Sequence, residues 1–288
     1  MLLVEQTHNT VDRFGFERGV QMIKDAGFDA IDLSLFKMIH DDCEWNAPDW
    51  RELAEQRRAW ADARGIRFTQ SHAPFAFNWA DESLRPVWDA RVANSIEISA
   101  IMGVRDIVVH PLHWFEYIGN EQKIFDLNVA YYKELAKLGE KFNIRICFEN
   151  MWRNEPKRGY IFHDIGSHPE EFNALIDAVG SPYVVGCLDL GHISLTGGEA
   201  EDAIRTIGHD RLKALHVHDN FYKKDDHQLP GTGMMNWDAI MQALKDIDYD
   251  GELTYECDRF LMPFADDYVP QVLKFMEQTG RYLIAKIQ

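Results

Sequence analysis

The chain has 288 residues, 46% of them hydrophobic, enough to bury one large core or two smaller ones. Its formal charge of −17, with 47 Asp and Glu against 30 Lys and Arg, argues against a broad nucleic-acid surface, because DNA affinity comes largely from cations that neutralise phosphates; a local basic groove stays open. Four cysteines form no CxxC pair, no run of about 18 apolar residues exists, and the opening MLLVEQTHNTVDRF lacks a basic leader, so the expectation is a soluble, cytoplasmic protein without disulfides or a membrane partner.

Short apolar runs alternate with helical stretches along the whole chain. The first strand is expected over Leu2–Thr7 and the first helix over Phe16–Ala26. Strand Ala30–Leu33 precedes helix Asp49–Arg64, strand Arg67–Ser71 precedes helix Leu84–Met102, and strand Asp106–Val109 precedes helix Gln122–Phe142. The second half repeats the pattern: Arg145–Phe148 with Pro169–Val179, Val184–Leu188 with Ala200–Ile207, Lys213–Val217 with Asn236–Asp246, and Glu252–Tyr255 with Tyr268–Gly280. Gly27, Gly65 and Gly103 stand where a helix should stop before the next strand. Eight such units predict an α/β fold, a (β/α)8 TIM barrel, as a single domain over residues 1–288. A doubly wound open sheet is the alternative, but no GxGxxG follows the first strand.

A barrel of this kind gathers its chemistry at the C-terminal ends of its strands. The third strand ends in His72 (TQSH), the fourth in His110 (VVH) and the fifth in Glu149 (CFE). The sixth ends in Asp189 with His192 close behind (DLGH), the seventh in His216 (LHVHD) and the eighth in Glu256 (TYE). Carboxylates crowded at one mouth would repel each other unless a cation sat among them, so a divalent metal is expected. The period of two along a strand puts Glu149 on the face of Cys147, Asp189 on that of Cys187, His216 on that of Ala214, Glu256 on that of Thr254 and His110 on that of Val108. Small residues would thus fill the barrel beneath the acidic layer, with Ile146, Phe148, Leu188, Leu215 and Val109 facing the helices.

The ordered series SHAPF, HP, FEN, DLGH, HVHDN, DxH, PGTG and WDAI, closed by YDGELTYE, resembles the xylose isomerase-like barrels over the whole chain. That group contains sugar isomerases and epimerases, inosose dehydratases and the endonuclease IV type of repair enzyme. The resemblance to its ketose 3-epimerases implies Glu149, Asp189, His216 and Glu256 as ligands of one divalent ion, Glu149 and Glu256 as proton-transfer groups, and His192 as a substrate contact. The resemblance to endonuclease IV implies nine ligands for three zinc ions, adding His72, His110, His192, Asp225 and His227. Thr232 between the last-loop glycines, where the endonucleases carry Glu, favours the sugar branch.

Manganese is the favoured metal for so carboxylate-rich a set; Mg, Co or Fe(II) would suit it too, and the extra histidines would suit Zn. Aromatic residues follow the strand ends, at Phe75, Phe77, Trp79, Trp114, Phe115, Trp152, Phe221 and Tyr222, either as platforms for a sugar ring or as plain lids. Phe75, Trp114, Trp152, His192 and Arg153 are the expected substrate contacts, although Arg153 reads equally as a salt-bridge partner. His218 is expected to point away from His216 and to orient its loop through Asp219.

The function expected is metal-dependent isomerisation or epimerisation of a ketose or keto-polyol through an enediolate. Alternatives are a dehydratase or lyase on a keto-sugar or inosose, including cleavage of a carbon-linked glycoside, and phosphodiester hydrolysis at abasic DNA. A binding subunit with an unused site is a third. The partner is a small carbohydrate, with or without a second copy of the chain in a homo-oligomer.

Overall fold

The computed structural model describes residues 1–75, 81–155 and 157–287; Phe77 and Trp79 fall outside them. Eight parallel strands form the barrel: Leu3–Gln6, Ala30–Ser34, Phe68–His72, Asp106–Val109, Arg145–Glu149, Val184–Asp189, Leu212–His216 and Leu253–Tyr255. They are called the first to eighth strands below. The first to seventh pair in chain order, and the first also pairs with the eighth, Leu3 opposite Leu253. The seventh and eighth strands meet only at their upper ends. There Val217 bridges Tyr255, its N–H donating to the Thr254 carbonyl at 2.9 Å. The architecture is a (β/α)8 barrel.

Helices Phe16–Ala26, Trp50–Asp62, Arg85–Ile101, Glu121–Phe142, Pro169–Val179, Ala200–Ile207, Trp237–Asp246 and Val269–Ala285 surround it, each within a few residues of expectation. Gly27, Gly65 and Gly103 all have positive φ, a conformation glycine adopts without a Cβ penalty. Two apolar regions follow from the strand period. Val108, Cys147, Val185, Cys187 and Ala214 fill the barrel interior as a small cluster. Ile107, Val109, Ile146, Phe148, Leu188 and Leu215 belong to the large layer between strands and helices. The interior cluster is the floor on which the polar residues of the strand ends sit.

Several short elements lie outside the simple alternation, and three of them shape the site. Helix His8–Phe14 follows the first strand, a two-stranded hairpin (Trp152–Asn154 with Ile161–His163) follows the fifth, and helix Leu190–Leu195 begins directly after Asp189. All three are insertions at the C-terminal rim, where loops are free to vary without disturbing the sheet. Among the described residues no helix is long and apolar enough to cross a membrane.

Candidate metal centre

Strand geometry brings Glu149, Asp189, His216 and Glu256 together, each offering a ligand atom within 4.8 Å of the others, and all are buried. His216 Nδ1 lies 2.8 Å from Glu149 Oε1, 3.2 Å from Glu256 Oε2 and 3.9 Å from Asp189 Oδ2. Gln6, at the end of the first strand, donates from Nε2 to Glu256 Oε1 at 3.0 Å and fixes that carboxylate. Three acids and one imidazole in a buried site concentrate negative charge, and the protonation of the site responds. Burial disfavours charge on Glu149, yet the imidazoles of His216 and His110 hold it well below the usual carboxylate range. Burial likewise opposes charge on His216, but Glu256 and Glu149 push it up to about 10. A cation among these carboxylates would take over the charge-balancing part played here by the imidazoles.

The remaining acids and histidines cluster beside this set. His110 Nε2 is 3.0 Å and His72 Nε2 3.5 Å from Glu149 Oε2, making a second group on the other oxygen of the same carboxylate. Burial takes His110 down to about 4 even with Glu149 beside it. On the opposite flank His227 Nε2 is 3.0 Å and His192 Nε2 3.8 Å from Asp225 Oδ2. His192 is pushed up to about 10, against its burial, by Asp189 and Asp225.

Two local rules explain the DLGH spacing. Asp189 is the N-cap of helix Leu190–Leu195 and accepts from the His192 backbone N–H at 2.7 Å, so the strand-end acid also starts the helix that carries His192. His192 Nδ1 then meets the Asn150 carbonyl at 2.8 Å.

His218 departs from expectation. Val217 continues the seventh strand by its bridge to Tyr255, so positions 216 and 218 share a face, and His218 Nε2 lies 3.1 Å from Asp189 Oδ1 and 3.7 Å from Asp225 Oδ1. Its ring fits only because residue 191 is glycine: a Cβ there would fall 2.0 Å from the His218 ring. Asp219 does organise the loop, accepting from the backbone N–H groups of Gly231, Gly233 and Met235 and from Trp237 Nε1.

The buried polar atoms test the fit of a metal. His72 Nε2, His216 Nε2, His218 Nδ1 and Asp225 Oδ1 have no hydrogen-bond partner among the described residues. Orphaned atoms of this kind are costly in a folded protein; others occur elsewhere, at Asn46 and Asn173 for example, but these are gathered in one cluster of acids and imidazoles. Oxygen and imidazole donors at this density suit a divalent cation.

Above the cluster opens a cavity of about 430 Å³. Phe75, Trp152 and His192 line it together with Glu149, Glu256, His110, Asp225 and His227. Trp114 does not; it lines a separate surface hollow with Phe115 and Lys123. Arg153 is also absent from the wall, because Asp164 engages its guanidinium at 2.9 and 3.0 Å. Its salt-bridge reading describes that contact, though in a half-buried setting. His8, Phe36, His113, Met151, Asp258 and Arg259 line the cavity without having been anticipated. Reading the first and eighth strand ends one or two residues further, as VEQTH and TYECD, would have found His8 and Asp258; His113 required the hairpin.

Residues 20–279 match the family model described as the xylose isomerase-like TIM barrel. The chain belongs to that family. It is 34% identical over 124 residues to a D-psicose 3-epimerase of Enterocloster bolteae, covering 43% of this chain and 37% of that one. It is 27% identical over 220 residues to a probable endonuclease 4 of Bacillus licheniformis, covering 67% and 68%. The alignments to two uncharacterised relatives span 55% and 62% of those proteins' length. The crystal structure of IolI protein with a bound zinc atom superposes with a TM-score of 0.76 at 18% identity, covering 100% of this chain and 99% of that one, a likeness of fold.

Proposed function

We propose that the protein is a divalent-metal-dependent isomerase or epimerase acting on a ketose or related keto-polyol. The observation that carries this reading is the buried set Glu149, Asp189, His216 and Glu256 at the floor of a cavity sized for a monosaccharide. A divalent ion held by these four residues, manganese by our reading, would supply Lewis-acid polarisation of the substrate's carbonyl and neighbouring hydroxyl oxygens. Glu149, kept ionised by His216 and His110, is able to accept a proton from the carbon next to that carbonyl. Glu256, held by Gln6 on the neighbouring strand, would enter as the carboxylic acid and give its proton to the resulting enediolate, the two acids then exchanging protons with solvent to reset. Return to the opposite face inverts the stereocentre; return to the neighbouring carbon isomerises the sugar. Trp152 and Phe75 offer apolar faces to the ring carbons, and His192 stands in the same wall beside them. The D-psicose 3-epimerase relative supports the ketose as substrate class.

Incubation of metal-loaded protein with D-psicose, D-tagatose and D-fructose in deuterated water should place deuterium on the carbon beside the carbonyl of the sugar turned over. Glu149→Gln and Glu256→Gln should each lower turnover by at least about 10²-fold, since each removes a proton-transfer group. Uptake without inversion, followed by loss of a leaving group, would move the reading to a dehydratase or lyase. A second reading has its own observation: His72 and His110 on Glu149, His192 beside Asp189, and Asp225 with His227 complete nine ligand positions. Three zinc ions per chain with cleavage of an abasic-site duplex, and no deuterium in any sugar, would favour the phosphodiesterase.

A further inference from the structure

The cavity wall holds a histidine outside the acidic cluster. His113 follows the fourth strand, and its Nδ1 lies 2.9 Å from Asp164 Oδ2. Asp164 is fully buried, just beyond the hairpin that follows the fifth strand. Its carboxylate accepts from Arg153 Nε at 3.0 Å, the Ile165 backbone N–H at 2.8 Å and the His113 ring. A second arm of the same guanidinium donates to the His113 carbonyl. The hairpin thus clamps His113 by both backbone and ring.

This clamp has a chemical consequence. An ionised carboxylate only accepts hydrogen bonds, so His113 Nδ1 must carry the hydrogen, and in the neutral ring Nε2 is left with its lone pair. No hydrogen bond to Nε2 occurs among the described residues, and the side chain is 27% exposed where it lines the cavity. His192 and His227 each spend a ring nitrogen on a backbone carbonyl and direct the other at Asp225. His110 likewise directs Nε2 at Glu149, whereas His113, held by Asp164 through Nδ1, turns an Nε2 unpartnered among the described residues toward the cavity apart from the acidic cluster. We propose that His113 Nε2 accepts a hydrogen bond from a substrate hydroxyl remote from the acidic cluster, with Asp164 and Arg153 as positioning residues, and so selects substrates that carry a hydroxyl there. The proposal rests on the ketose reading of the site, and it assigns no bond-breaking step to His113.

The test uses metal-loaded full-length protein with Mg²⁺, which leaves NMR spectra unbroadened. Long-range ¹H–¹⁵N spectra, with the His113 signal assigned by its loss in His113→Gln, should show the Nδ1-protonated tautomer in the wild type. With whichever of D-psicose, D-tagatose and D-fructose is turned over, His113→Phe should raise KM roughly tenfold and leave kcat within about twofold, the signature of lost uniform binding. His113→Gln, which places an amide oxygen near the Nε2 position, should recover most of that loss. An Nε2-protonated tautomer overturns the proposal. So does an unchanged KM in His113→Phe, or a fall in kcat that Gln fails to rescue. If the wild type turns over none of the three sugars, the ketose reading fails by itself, and the tautomer alone then decides whether Nε2 is the open acceptor.

Discussion

His218 illustrates how one residue changes role with register. In contact with Asp189 and within 4 Å of Asp225, it stands where it orients a carboxylate of the metal set. Partners of this kind typically carry 10- to 100-fold in metal affinity or activity, so His218→Ala should lower Mn²⁺ affinity by roughly that factor, measured by titration calorimetry. A loss under about twofold would return His218 to a purely structural place in its loop. Asp32 makes a second case. It lies fully buried below the metal set with Gln70 donating to it at 3.1 Å, and burial pushes its carboxyl up to about 6. A raised folded-state value means that ionised Asp32 costs stability above pH 6, and that the cost vanishes below the unfolded value near 3.8. Asp32→Asn should therefore stabilise the metal-free protein by about 3 kcal/mol at pH 7.5 and by roughly half as much near pH 5. Urea unfolding at the two pH values checks the sign; a difference independent of pH would mean that Asp32 is not the group being titrated.

Among the elements, helix Leu190–Leu195 does the most for the site in the fewest residues. At six residues it is too short to be stable alone, and it persists because Asp189 caps it and its whole length is buried. Gly191 sets its distance from the seventh strand, through the close approach of the His218 ring. Gly191→Ala should cost about 1–3 kcal/mol from overpacking and displace His218 from Asp189. Thermal unfolding would report the first effect and the His218 imidazole NMR shift the second; a wild-type melting curve would show that the helix can move away freely. The hairpin after the fifth strand plays a comparable part, since its Arg153 and the following Asp164 reach back to the loop of the fourth strand.

At the scale of the molecule, closing the barrel places the ends of the third to eighth strands around one mouth, and the excess of negative charge there couples metal binding to stability. An ion that binds the folded state alone adds about 2.7 kcal/mol at a free concentration 100 times its Kd. Mn²⁺ should accordingly raise the melting temperature of chelator-treated protein, and Glu149→Gln should abolish the increase; equal increases in both would place the ion elsewhere. Much of this architecture was legible along the chain. Strand and helix positions followed from periods of two and 3.6, and the inward set Val108, Cys147, Cys187 and Ala214 followed from counting back from the polar strand ends. Those rules are local, and in a parallel barrel the local period also decides which side chains face the mouth. What sits at the rim obeys no such period. The engagement of Arg153 by Asp164, the placing of Trp114 in a separate hollow, and the meeting of His113 with a residue 51 positions away depend on how loops from different strands fold over one another. Sequence by itself determined the barrel and the residues offered at its strand ends; only the tertiary structure decided which of the rim residues reach the cavity, because those contacts join segments whose separation along the chain carries no periodic signal.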